Sequence, residues 1–279
     1  MTTRSRPTAI AVLAALAAAL VAAFVLAPGP LAASTSGGGF GDQRHLIDSL
    51  SRSFVDYWGS GDRNLSPGLQ RVVDYWTHFH VVKAVISAIL LAVLTALGSL
   101  LRKAFLRADG LGAGRRAALA SAGVLVTALA LFSLAAVLAN VQGAMAPFSS
   151  LLSMLPMHPS HGALADALDQ VRQRLTDYPK AGDRAPAAVG VMVGDFARYH
   201  VVIAVAAPMV AVVLIGMSVV SWRRFAGTAA SDRRTRRVFR SFGLFWALLS
   251  LAVIVVAVAN TATAADPAPA LLAFFQGGW

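Results

Sequence analysis

The sequence contains no cysteine and no glutamate. Without cysteine there is no disulfide framework, no thiol nucleophile and no thiolate metal site, and composition says nothing of a redox compartment. All 13 acidic residues are therefore aspartate, and charged residues make up only 13% of the chain; soluble domains carry about 25%. A charge deficit of that size, with a mean hydropathy of +0.66, points to a bilayer as solvent. Charge is scarcest inside the apolar runs, where Lys83 is the one ionisable residue that lies deep. Proton relays, ion-coupled transporters and charged pores need such residues, so those classes are disfavoured. A Gly-rich phosphate loop, paired carboxylates and a Ser-His-Asp arrangement are also missing, which argues against a soluble-type hydrolase.

What is present is apolar length. Five runs stand out, at about 8–27, 79–101, 117–139, 200–221 and 242–260. Each approaches the roughly 20 residues that cross a hydrocarbon core of about 30 Å. They are too long for barrel strands, and open strand edges do not survive in lipid, so all five read as helices. The net charge of +11 sorts the connections between them. Arg4 and Arg6 precede the first run. Arg102, Lys103, Arg107, Arg115 and Arg116 oppose only Asp109 in one loop, and Arg223, Arg224, Arg233, Arg234, Arg236, Arg237 and Arg240 oppose only Asp232 in another. The two long connections are nearly balanced. By the positive-inside rule the N-terminus and both basic loops are cytoplasmic, and the long loops and the C-terminus lie outside a plasma membrane. Basic loops can also hold nucleic acid or lipid headgroups. Topology accounts for them without either, and no nucleic-acid partner is expected.

The segment 1–34 begins with basic residues, continues with an apolar stretch and ends near the small residues Ala32, Ala33 and Ser34. It reads as a membrane anchor or as a signal-like segment. Its apolar core of roughly 20 residues is longer than the 7–15 usual for a signal peptide, which favours a retained anchor.

The rest of the chain reads as a duplication. HVVKAV at 80–85 returns as HVVIAV at 200–205, and the same shift matches Phe105 with Phe225, Gly123 with Gly243, Asn140 with Asn260 and Pro147 with Pro267. A shift one residue longer matches Asp48 with Asp169, Asp56-Tyr57 with Asp177-Tyr178 and Asp74 with Asp195. Two repeat units follow, over 46–152 and 167–272, each an amphipathic exterior helix, a turn and a transmembrane hairpin. Leu46, Ile47, Leu50, Phe54 and Trp58 form the apolar stripe of the first exterior helix against Asp48, Arg52 and Asp56; Leu164, Leu168, Val171 and Leu175 form that of the second. Ser66-Pro67 resembles an N-cap followed by proline at the first helical position. The expected fold is all-α: a polytopic bundle of five transmembrane helices, with two parallel repeats after an N-terminal anchor helix. Ala84, Ala88, Gly98, Gly123, Gly216 and Gly243 are the small residues expected at its helix contacts.

His80, Asn140, His200 and Asn260 then fall at outer helix ends and form the leading candidate ligand site. Imidazole ligates haem iron or copper, and a neighbouring amide can orient it. The competing reading is structural, with histidines packed in the aromatic belt and asparagines satisfying helix-end carbonyls. All six histidines lie on the outer side, and MLPMHPSH sets Met154 and Met157 beside His158 and His161, a soft-donor combination suited to copper as well as ordinary apolar filler. The metal candidates are thus His80, His200, Met154, Met157, His158 and His161. Lys83 either snorkels to the headgroups or faces a bound anion.

In its Ala, Val and Arg usage, and in VDYWTHFHVVKAV, the whole chain resembles uncharacterised multi-pass membrane proteins of high-GC Gram-positive bacteria. Asn140-Val141 and the step from Trp76 to His80 are also similar to pieces of the anthrone oxygenase-like membrane domain. That family's Pro-x-Asn is missing here and the exterior loop is far longer, so its oxygenase chemistry is not carried over. The expectation is a non-enzymatic binding or scaffolding protein that presents its exterior helices to another membrane or exported protein; a haem- or copper-binding redox protein using His80 and His200 is the alternative. The orientation is testable because the chain has no cysteine of its own. In intact cells a cysteine at Ser231 is expected to resist a membrane-impermeant maleimide and one at Ser160 to react; the reverse pattern would overturn it.

Overall fold

The computed structural model describes residues 5–106, 112–181 and 186–278, and every regular element within them is an α-helix. In chain order these are α1 (Ser5–Leu26), α2 (Pro28–Thr35), α3 (Gln43–Ser60), α4 (Pro67–Leu106), α5 (Ala113–Met145), α6 (Pro147–Leu152), α7 (Ala163–Ala181), α8 (Ala187–Gly227), α9 (Arg233–Ala265) and α10 (Pro267–Phe275). Five of them, α1, α4, α5, α8 and α9, are long and apolar enough to cross a membrane. Exposed large side chains such as Val85 and Ile89 on α4, Phe132 on α5, Val205 and Val212 on α8 and Leu251 and Val255 on α9 leave faces that only lipid solvates well. The chain is a multi-pass membrane protein. Arg4, Arg107 and Asp109, which enter the charge argument, lie outside the described residues.

The spans are longer than the apolar runs that announce them. α4 has 40 residues and α8 has 41, about 60 Å each at 1.5 Å per residue, or twice a hydrocarbon core. The apolar runs begin at 79 and 200; the helices begin at Pro67, where the Ser66-Pro67 signal put the start of the first, and at Ala187. The added turns are mixed in polarity, which hides them from a hydropathy scan, yet they bury an apolar face of their own. Leu69, Val72 and Val73 are buried on α4, and Ala188, Val189, Met192 and Val193 on α8.

The chain divides into two units. In the first, α4 packs against α5, α1 and α2. Ala17 of α1, Leu90, Leu94, Leu97 and Leu101 of α4 and Val126 of α5 form its buried cluster. Near the other end of α1, the Lys83 ammonium lies 4.5 Å from the centre of the Phe24 ring and 5.0 Å from that of Phe79. Phe40 meets Tyr75 edge-on at 5.1 Å.

In the second unit α8 packs against α9, and α7 and α10 lie against α8. The later turns of α3, and α6 from Phe148 onwards, belong here. Phe54 and Tyr57 of α3 contact the Phe148 ring of α6 at 6.5 and 5.8 Å, and Trp58 Nε1 donates to Gln170 Oε1 of α7. At the basic connection between α8 and α9, Asp232 accepts from the Thr235 N–H at 3.0 Å and caps α9. Arg236 donates to the Thr228 carbonyl at 2.9 Å and stacks over Phe225, so one cation of this loop closes the end of α8.

Three short helices, α2, α6 and α10, escape the sequence reading. Each opens at a proline (Pro28, Pro147, Pro267), which has no N–H to leave orphaned at a first helical turn. The expected close-packing positions also divide. A β-carbon at Gly98 would touch Val126 at 3.5 Å, and one at Gly243 would meet the Trp222 indole at 2.9 Å. At Gly123 and Gly216 it would meet nothing within 4 Å, and Ala88 is exposed; these sit on open faces.

The Tyr57 ring is 1% exposed, and its hydroxyl has no hydrogen-bond partner among the described residues. Burial, helped by Asp62, pushes its pKa from 10.0 up to about 12. The neutral phenol is the form the fold holds. Stability is therefore unaffected below pH 10 and is lost as pH rises from 10 towards 12, where only the unfolded chain ionises. Tyr57→Phe removes an unpaired buried hydroxyl. It is expected to leave thermal stability unchanged or raise it by up to about 1 kcal/mol at neutral pH, and to reduce the alkaline loss, both readable from melting curves in detergent at pH 7 and 11.

Candidate functional site

α4 runs one way through the unit and α5 returns, which sets His80 beside Asn140. His80 Nδ1 and Asn140 Oδ1 are 2.9 Å apart. The asparagine Nδ2 donates to the Ala136 carbonyl one turn back on α5 at 2.7 Å. With Nδ2 spent as a donor, Oδ1 is the acceptor and the His80 Nδ1–H is the donor. The neutral imidazole then carries its lone pair on Nε2. Trp76 and Phe79 meet the imidazole edge-on at 4.8 and 5.9 Å. Gly143, one turn beyond Asn140, lets α5 pass over the ring: a β-carbon there would come within 2.6 Å of Nε2 and 2.7 Å of the two adjacent carbons.

The second hairpin has the same arrangement. His200 Nδ1 and Asn260 Oδ1 are 2.9 Å apart, and Asn260 Nδ2 donates to the Val256 carbonyl at 2.8 Å. Phe196 and Tyr199 flank this imidazole at 4.6 and 5.6 Å. Both pairs span 60 residues. They differ in burial. Asn140 is 7% exposed and Asn260 only half-buried, and Thr263 stands three residues beyond Asn260 where Gly143 stands three beyond Asn140.

The residues singled out from sequence thus resolve into a His80–Asn140 pair and a His200–Asn260 pair, each inside one hairpin. Lys83 lies one turn from His80 but turns to the rings of Phe24 and Phe79. Met157 and His158 line an open pocket with Ala165, Asp169, Arg172 and Phe275. His161 Nδ1 is 2.8 Å from Ser160 Oγ and is exposed. Met154 is half-buried. Among the described residues no three His or Asp side chains come together in a group that could hold a metal ion.

Two residues that sequence reasoning left out of any site hold the second unit together. Arg172 Nε donates to the Phe275 carbonyl at 2.8 Å, its Nη2 to the Met157 carbonyl at 2.8 Å, and its Nη1 pairs with Asp169 at 2.6 Å. One guanidinium therefore ties α7 to the end of α10 and to the 153–162 loop. Asp195 Oδ2 accepts the Ser149 N–H at 2.8 Å, and its Oδ1 pairs with Arg198 at 3.3 Å. This buried carboxylate satisfies the third N–H of α6, where a negative charge is favoured. Its match with Asp74, one residue out of the 120-residue register that α4 and α8 share, was the available signal.

The two asparagines give a controlled comparison. Asn140→Ala strips the His80 Nδ1–H of its acceptor at a buried position, so a loss of about 1–3 kcal/mol is expected. The same change at half-buried Asn260 is expected to cost less, since water or headgroups can reach His200. Thermal or denaturant unfolding of both variants in one detergent checks the order. No family model, curated protein or solved structure matches this chain.

Proposed function

We propose that this is a plasma-membrane binding or scaffolding protein, without catalytic activity of its own, built from two duplicated units behind a retained N-terminal anchor. The duplication is supported by element boundaries. α5 and α9 begin and end 120 residues apart, as do the starts of α3 and α7, of α4 and α8, and of α6 and α10. The matched His-Asn pairs agree. The anchor is supported by the packing of α1: a cleaved leader would leave Leu90 and Leu94 of α4 without Ala17 and Lys83 without Phe24. The N-terminus and basic loops inside, and α3 and α7 outside, follow from the charge pattern.

The observation that carries the binding role is where the amphipathic helices spend their apolar faces. Leu46, Leu50, Phe54 and Tyr57 of α3, and Ala167, Leu168, Val171 and Leu175 of α7, are all buried. Of the two stripes only Ile47, Trp58 and Leu164 stay partly exposed among the described residues, which leaves little apolar surface to lie in a headgroup layer or receive an amphipathic ligand. What the exterior helices offer is their other side: Asp48, Arg52 and Asp56 on α3, and Asp166, Asp169, Arg174 and Asp177 on α7, all exposed and mixed in sign. Such a surface suits a polar, charge-complementary partner. A photo-cross-linking residue at Asp56 or Arg174 in living cells is expected to give one discrete adduct that shifts with salt, and one at buried Leu168 none. A uniform smear, or an adduct only from Leu168, would sink the reading.

A redox or metal-binding role is the second reading, and one geometric fact favours it. At His200 Nδ1 is committed as a donor to Asn260 and Nε2 is the basic nitrogen, the arrangement typical of a metal-ligating imidazole; at His80 the α5 backbone at Gly143 lies against Nε2. Protein purified from its native membrane and showing a stoichiometric Soret band or bound copper would replace the first reading with this one.

A further inference from the structure

The first unit contains a crevice of about 350 Å³ whose lining is almost wholly apolar. Ser87, Leu90, Leu94 and Leu97, one face of α4, form its floor. Ala14, Ala18 and Val21 of α1 form one wall, and Val126, Leu129 and Phe132 of α5 the other. The floor runs over eleven residues, Ser87 to Leu97, about 15 Å of helix, which is the depth of one leaflet. The crevice opens sideways: Phe132 is 67% and Val21 46% exposed.

Two polar features mark one end. Ser133 lines the crevice, is 2% exposed, and its hydroxyl has no hydrogen-bond partner among the described residues. Buried hydroxyls are rarely left so. Ser87 lines the same end but is already satisfied, donating to the Lys83 carbonyl at 2.6 Å. One turn of α4 beyond Ser87, about 6 Å along the axis, stands Lys83. Its ammonium is held over Phe24, itself a lining residue, and no carboxylate pairs with it among the described residues.

We propose that this crevice is a binding site for one anionic phospholipid: an acyl chain lies along α4 between α1 and α5, the phosphate faces Lys83, and Ser133 donates its hydroxyl proton to the chain's ester carbonyl. The order of groups argues for this ligand. A phospholipid carries, from outside inwards, an anion, then an acceptor without a donor, then a chain; the crevice offers a cation, then an unpaired donor, then an apolar trough. The open side argues for a two-chain lipid over a free fatty acid, because the second chain can stay in the bilayer against the exposed wall. The site is independent of the partner proposed for α3 and α7.

Native mass spectrometry of the full-length protein tests it, with phosphatidylglycerol, phosphatidylcholine of the same chains and oleate each added in mild detergent. One phosphatidylglycerol is expected to be retained in preference to the other two. Lys83→Gln is expected to lower its occupancy about fivefold, the share of one cation near an anionic headgroup, and Ala18→Phe to abolish it by filling the trough. Ser133→Ala is expected to lose part of the melting-temperature gain that phosphatidylglycerol confers while leaving the lipid-free protein unchanged or more stable; a serine with a purely structural role would do the opposite. Equal retention of phosphatidylcholine, preference for oleate, or undiminished binding by Lys83→Gln would each overturn the proposal.

Discussion

A backbone in hydrocarbon has to satisfy its own hydrogen bonds, and the architecture follows from that requirement. It restricts each span to helix, and once begun a helix has no reason to stop at the membrane surface. α4 and α8 continue for about 30 Å beyond the length that a core requires. Their projecting turns are amphipathic, and their apolar sides need cover. In the second unit α7 and α10 pack against α8, and the later turns of α3 and the proline-initiated α6 add a core seen around Phe148. The protein thus solves two burial problems with different residues. Along the apolar spans of the first unit the leucines of α4 pack with Ala17 and Val126; in the second unit Phe54, Tyr57, Phe148, Leu168 and Leu175 are removed from water.

The His-Asn pairs stand where the mixed first turns of α4 and α8 give way to the apolar runs that begin at 79 and 200. A hydrogen bond between neighbouring helices gains from the falling dielectric there, and a lost partner is correspondingly costly. Each pair fixes the register of its hairpin, because a shift of one residue along either helix would carry the asparagine away from its histidine. The same bond orients the imidazole and assigns its tautomer. At His80 the backbone at Gly143 closes over the ring, so that pair is a structural clip, while at His200 a threonine stands in the glycine's place and Asn260 is only half-buried.

Much of this was legible in the sequence. Amino-acid type alone governs transfer into lipid, so the spans are visible as runs. The stripes of α3 and α7 were legible because an amphipathic helix writes its buried face at a fixed period, and Leu50, Phe54, Leu168 and Val171 are buried as that period requires. The spacing of 60 residues from histidine to asparagine in both hairpins already implied that antiparallel helices of equal length would bring them level.

Contacts between segments far apart in the chain were not legible, because neither partner carries a mark of the other. Gly143 looks like any other glycine until the His80 ring is found against it, while Gly123 and Gly216, equally good candidates on paper, face open space. Arg172 is one of several arginines on a polar stripe, yet its guanidinium is the one found on the Phe275 carbonyl among the described residues. The apolar crevice along α4 and the unpaired Ser133 hydroxyl exist only because three helices diverge there. By itself the sequence determined which segments enter lipid and which face of each helix is buried, since both depend on local composition and period. Which partner each buried face meets, and which polar groups are left without one, is a matter of packing across the chain, and only the tertiary structure decided it.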